Sequence, residues 1–135
     1  MAEGYQELLG NVPLLPGNFL DMPASGSCFE TAQVVIVSVP YDSTTSYRSG
    51  TREGPRAIIS ASRHLEDFDL ELKRDISKVG IHTMPEVEVH MGGPRAMAQR
   101  VEEMVLPLAN KGKLVCLLGG EHSITLGSVR AFSQI

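Results

Sequence analysis

The sequence of 135 residues contains no apolar run approaching the roughly 20 residues that a membrane-spanning helix needs, so no such helix is expected to organise it. Positive charge is not in surplus: 12 Lys and Arg stand against 16 Asp and Glu, a formal net charge of -4 dispersed along the chain. Nucleic acid and anionic membrane surfaces are therefore not expected partners, because both are held by concentrated basic faces. Cysteine is scarce. Cys28 and Cys116 lie far apart in no paired motif, which excludes a disulfide framework and reads as ordinary reduced thiols. The opening "MAEGYQELLGNVPLLPG" has neither a basic leader nor a long apolar core, so a secretion signal is not expected and the cytoplasm is the expected compartment. No internal repeat, low-complexity tract or dividing linker is present. What remains is a single domain long enough to bury a core, with small-molecule chemistry as the default.

Residues 1–32 are rich in Gly, Pro and Ser without a period of 2 or 3.6, so they are expected to form an arm or surface loop, with the folded domain over 33–135. "QVVIVSVP", Gln33 to Pro40, is a continuous β-branched run of the kind that a strand covered on both faces requires. "GPRAIISASRHL" opens a helix at Gly54 and Pro55, with Ala57, Ile58, Ala61 and Leu65 on one face. The strict alternation of "EDFDLEL" predicts a half-exposed strand, Phe68, Leu70 and Leu72 on its apolar side and Asp67, Asp69 and Glu71 on its wet side. "KVGI" predicts a short buried strand.

Met97, Val101, Met104, Val105 and Leu108 follow helical spacing, with Pro107 expected to kink or shorten the last turn and Gly112 to stop it. "KLVCLLGG" is a further apolar strand, and Ile124, Leu126, Val129 and Phe132 permit a helix after it. Strand and helix in alternation predict an α/β fold with a parallel sheet. A sheet of about three strands leaves an exposed edge that proteins normally cover or extend, so the chain reads as unfinished.

Ligands in such sheets bind beyond the carboxyl ends of the strands, where loops diverge and helix N-termini present free N–H groups. "GGEHS" occupies that position. Gly119 and Gly120 permit a tight turn that aims His122 across the top of the sheet, as a metal ligand or as a polar residue opening the next helix. Glu121 beside it can orient the ring or a bound ion without touching substrate. A phosphate cradle is disfavoured because the lysine of a P-loop is missing. Asp67 and Asp69 belong to the wet side of a strand, and His64, His82 and His90 have no partner at ligand spacing. The loop Tyr41 to Gly54 follows the first strand and is expected on the same rim as His122. Its Arg48 and Arg52 would repel a cationic substrate, which favours a scaffold role in which they bond loop carbonyls and carboxylates.

"SVPYDSTTSYRSGTREGPRAIISAS" followed downstream by "LLGGEHSIT" resembles the amino-terminal part of the ureohydrolases, the arginase and agmatinase family, and is most similar to the agmatinase branch. The first block carries the family's Pro-x-Asp turn and Arg-x-Gly-x-Arg-x-Gly-Pro at Pro40, Asp42, Arg48, Gly50, Arg52, Gly54 and Pro55. The second carries its Gly-Gly-Asp/Glu-His-Ser motif at Gly119, Gly120, Glu121, His122 and Ser123.

The resemblance implies a three-layer α/β/α sandwich around a parallel sheet, of which this chain holds the amino-terminal portion. It also implies two Mn²⁺ ions at the strand ends. It assigns His122 to one metal, with Glu121 and Ser123 supporting it. The family's Asp-x-His-x-Asp and later Asp-x-Asp segments do not follow His122 in this sequence, so the other ligands and the catalytic residues are not assigned. The implied reaction is hydrolysis of a guanidino C–N bond, agmatine to putrescine and urea, in a polyamine-forming homo-oligomer, a trimer or hexamer. One histidine cannot hold two ions, so the 135 residues alone are expected to be inactive. The other expectation is a non-catalytic remnant that folds or assembles through its sheet edge without binding metal.

Overall fold

Val34–Val39 forms β1, and five of its six residues are buried, as its unbroken β-branched sequence requires. The computed structural model describes residues 12–135, so the first eleven residues of the expected arm lie outside the described residues. Two further strands flank β1, both parallel to it: β4, Ile81–Thr83, on one side and β5, Leu114–Gly119, on the other. Pairing with β5 runs the whole length of β1, from Val34 opposite Leu114 to Val39 opposite Gly119.

Three helices complete the frame: α1, Gly54–Ser62, α2, Pro94–Asn110, and α3, Thr125–Phe132. The connection through α1 steps from β1 to β4, and the one through α2 steps back across β1 to β5. Right-handed crossovers in opposite directions place those two helices on opposite faces of the sheet, which is the three-layer arrangement. The core lies on one face, where Val35, Val37 and Val39 meet Met97, Val101, Val105 and Leu108 of α2 and Ala131 of α3. These are four of the five apolar positions predicted for α2, and Met104 packs at their margin.

Pro107 does not shorten α2. Proline removes only one helix hydrogen bond, and the helix continues to Asn110. It ends at Gly112, whose φ of +70° is left-handed. The Gly112 N–H donates to the Ala109 carbonyl at 2.8 Å and the Lys113 N–H to the Leu108 carbonyl at 3.2 Å, a Schellman closure. Lys113 then turns its ammonium back, donating to the carbonyls of Phe29 at 2.9 Å and Ala32 at 2.5 Å.

Three local expectations are corrected. "EDFDLEL" is not a strand along its length: Phe68–Asp69 (β2) pairs antiparallel with Arg74–Asp75 (β3), and the residues between them turn. Asp69 accepts the Leu72 N–H at 2.7 Å, and Lys73 takes a φ of +52°. A side-chain turn competes with extension here, and Phe68, Leu70 and Leu72 stay exposed. In "KVGI" only the isoleucine is in a strand. Ile76–Val79 coils as a 3₁₀ turn and Gly80, at φ +74°, leads into β4.

The third correction concerns helix faces. In α1 the buried residues are Pro55 and Ser62, while Ala57, Ile58, Ala61 and Leu65 are exposed. Ser62 is drawn inward because its hydroxyl donates to the Ile59 carbonyl at 2.7 Å and accepts the Leu20 N–H at 2.8 Å. In α3, Gly127 and Ala131 face α2, leaving Leu126, Val129 and Phe132 in solvent. No helix among the described residues is long and apolar enough to cross a membrane.

Candidate functional site

β1 and β5 end side by side, so the loops that follow them share one rim. The Gly120 N–H donates to the Val39 carbonyl at 3.3 Å and the Glu121 N–H to the Tyr41 carbonyl at 2.8 Å. Gly120 is demanded by this approach, since a Cβ there would stand 2.3 Å from the Tyr41 oxygen. His122 follows at once, the first residue of a 3₁₀ turn, His122–Ile124, that runs into α3. Ile124 is buried and anchors the turn. The His122 ring is exposed and makes no hydrogen bond among the described residues, so the histidine opens the helix by position without capping it.

A cleft of about 450 Å³ lies over this junction, lined by Thr44 to Arg48 from the loop after β1 and by Glu121 to Ser123 from the turn after β5. A larger cleft, about 650 Å³, sits at the other rim, beside Gln33 and Lys78 to Gly80, where the strands begin. Parallel sheets bring converging helix N-termini to the first rim only, which makes the smaller cleft the functional candidate.

Two carboxylates brace the loops around the cleft, Glu121 on its wall and Asp42 buried behind it. Asp42 is buried; its Oδ2 accepts the Gly50 N–H at 2.8 Å, and its Oδ1 faces the Arg52 guanidinium at 2.5 Å. The arginine and the Gly50 N–H hold the Asp42 carboxyl below its ordinary pKa, against burial that acts to raise it. Arg52 thus bonds a loop carboxylate, as expected of a scaffold residue. Arg48 is exposed and lies over the Tyr47 ring, 5.4 Å from its centroid.

Glu121 bonds Thr44 and Ser123, with no hydrogen bond to the His122 ring among the described residues. Its Oε2 accepts the Thr44 N–H at 2.8 Å, and its Oε1 accepts the hydroxyls of Thr44 and of Ser123, the latter at 2.5 Å. Burial pushes the Glu121 carboxyl up and the nearby Asp42 charge adds to that, but the bonds from Ser123 and Thr44 outweigh both and hold it below its usual range. Nothing in the sequence singles out Thr44. One threonine among several loop hydroxyls carries no local signal, and its partner lies on another strand end.

The remaining histidines stand elsewhere. His64 is exposed after α1. His82 lies within β4, with Nδ1 2.7 Å from the Ser27 carbonyl and its ring edge-on to Phe29. His90 Nδ1 accepts the Gly92 N–H at 2.9 Å. Among the described residues no three His, Cys, Asp or Glu side chains are grouped as a metal site, and His122 offers a single imidazole.

Residues 32–135 match the model of the arginase family. The N(1)-aminopropylagmatine ureohydrolase of Thermococcus kodakarensis is 42% identical over 104 residues, which are 76% of this chain and 36% of that enzyme. The agmatine ureohydrolase structure of Thermoplasma volcanium superposes with a TM-score of 0.79 at 30% identity, covering 93% of this chain and 41% of that one. The formiminoglutamase of Trypanosoma cruzi, solved with Mn²⁺, superposes with a TM-score of 0.71 at 23% identity, covering 90% and 41%, and shares the fold. This chain therefore spans 36% to 41% of the length of these relatives. Parallel β1 and β5, the glycine turn over the Tyr41 carbonyl and the family match over 32–135 agree: the chain belongs to the arginase family.

Proposed function

We propose that this chain carries the first metal-binding histidine, His122, of a binuclear manganese hydrolase that converts agmatine to putrescine and urea. The remaining ligands come from residues outside these 135. The observation that carries the reading is an exposed imidazole without a hydrogen-bond partner, presented to a cleft at the carboxyl ends of two parallel strands. A helix-capping histidine would have spent that ring on main-chain groups.

The donors present fit one position of a metal site and not a whole one, since a single imidazole stands in the cleft. Mn²⁺ is a fairly hard ion that suits carboxylates with one or two imidazoles, and when bound it supplies Lewis acidity and a water activated at neutral pH. The residues of this chain provide the frame. His122 offers its ring, Glu121 and Ser123 fix the turn on either side of it, and Asp42 with Arg52 holds the opposite loop. Overall, the C–N bond to the leaving amine breaks, water supplies the urea oxygen, and the amine leaves with a proton.

The test is urea release by the full natural protein with Mn²⁺, across agmatine, arginine, guanidinobutyrate and N(1)-aminopropylagmatine. Agmatine hydrolysed with the highest kcat/KM supports the reading. A preference for N(1)-aminopropylagmatine would favour the second reading, motivated by the name of the 42% identical relative. No urea from any of the four, with a folded protein and no Mn²⁺ binding, would support the non-catalytic remnant.

A further inference from the structure

We infer that Thr44 is a positioning residue for His122, acting through the Glu121 carboxylate; the inference rests on the metal-ligand reading of His122. Glu121 and Ser123 are the chain neighbours of His122 on either side, and the Ser123 hydroxyl donates to Glu121 Oε1 at 2.5 Å, so the two residues flanking the histidine are tied to each other. That tie is local to one turn. It cannot by itself fix where the turn stands relative to the sheet and the facing loop.

The Gly120 and Glu121 N–H groups set the main chain of the turn against Val39 and Tyr41, and Thr44 adds the side-chain link from the facing loop. It contributes two donors to one carboxylate, its N–H to Oε2 at 2.8 Å and its hydroxyl to Oε1, so both oxygens of Glu121 are engaged from the loop after β1. Two-point contact fixes orientation as well as distance, which a single hydrogen bond does not. The turn that carries Thr44 is closed by its neighbour, as the Thr45 hydroxyl donates to the Asp42 carbonyl at 3.1 Å, and the Asp42 side chain is clamped to Gly50 and Arg52. The braced loop from Asp42 to Thr45 thus meets Glu121 through Thr44, next to the backbone that carries the imidazole. With both oxygens engaged by Thr44 and Ser123, Glu121 serves as a splint between the loop and the turn. The β-branched side chain of threonine has restricted rotamers, so the hydroxyl is already aimed.

The experiment is a Mn²⁺ titration, read by the paramagnetic resonance signal of the free ion, on the full natural protein with Thr44→Val, Thr44→Ser, Glu121→Gln, the Thr44→Val/Glu121→Gln pair and His122→Ala. Thr44→Val is expected to weaken Mn²⁺ binding by about 10-fold, within the range for residues that orient a ligand. Thr44→Ser should stay within about twofold of wild type. The double variant should bind no more weakly than Glu121→Gln alone, because both changes break the same link. Wild-type affinity in a folded Thr44→Val, or losses that add in the double variant, would overturn the inference. If His122→Ala itself leaves Mn²⁺ binding unchanged, the metal-ligand reading fails; if it abolishes binding while Thr44→Val does not, only the positioning role fails.

Discussion

The Glu121 N–H donates to the Tyr41 carbonyl at 2.8 Å, joining the turn after β5 to the loop after β1 at the rim where both strands end. This contact leaves no room for a side chain on the residue before it. Gly120→Ala would place a methyl carbon 2.3 Å from the Tyr41 oxygen, and the obstacle is main chain, which yields only by shifting a strand end. Thermal unfolding should show a loss of about 1–3 kcal/mol, the usual cost of overpacking. Gly112→Ala, where the Cβ meets open space, should cost only the left-handed conformation, about 1–2 kcal/mol. The larger loss belongs at Gly120.

The Asp42–Arg52 contact should make the rim sensitive to acid. Because the folded-state pKa of Asp42 is lowered, its contribution to stability is present above the unfolded carboxyl value of about 3.9 and is lost as pH falls below it toward the folded value. Asp42→Asn should be less stable at neutral pH, and its urea midpoint should fall less than that of the parent as pH drops below about 4. Parallel curves for the two proteins would show that the contact contributes nothing.

Core and surface methyl groups should separate cleanly. Met97, 1% exposed between α2 and the sheet, should lose about 2–5 kcal/mol on Met97→Ala, measured by chemical denaturation. Leu70 is 82% exposed on the turn between β2 and β3, and Leu70→Ser should change stability by less than about 0.5 kcal/mol.

That contrast also marks what the sequence makes legible. β1 and α2 can be read because their apolar residues meet the layer that covers them, while β5 is legible as an apolar run although Leu114 and Cys116 stay exposed. "EDFDLEL" has the same local grammar as a half-buried strand, yet nothing covers its apolar side, and the Asp69 turn to Leu72 prevails. The apolar faces of α1 and α3 show the same ambiguity: periodicity reports that a stripe exists and not which stripe meets the core. At the site, the rim on which His122 stands follows from "KLVCLLGGEHS" once the alternation of strands and helices makes its strand parallel. The Thr44 contact is invisible there, since it depends on two strand ends meeting in space.

The Mn²⁺ binding isotherm of the full natural protein, set beside that of its His122→Ala variant, bears most directly on the metal-ligand role of this histidine. Removing the imidazole should lower Mn²⁺ affinity and urea release together, and by more than the roughly 10–100-fold expected for Glu121→Ala. Unchanged affinity and full activity in His122→Ala at low Mn²⁺ would contradict the account and leave the histidine as no more than the residue that opens α3.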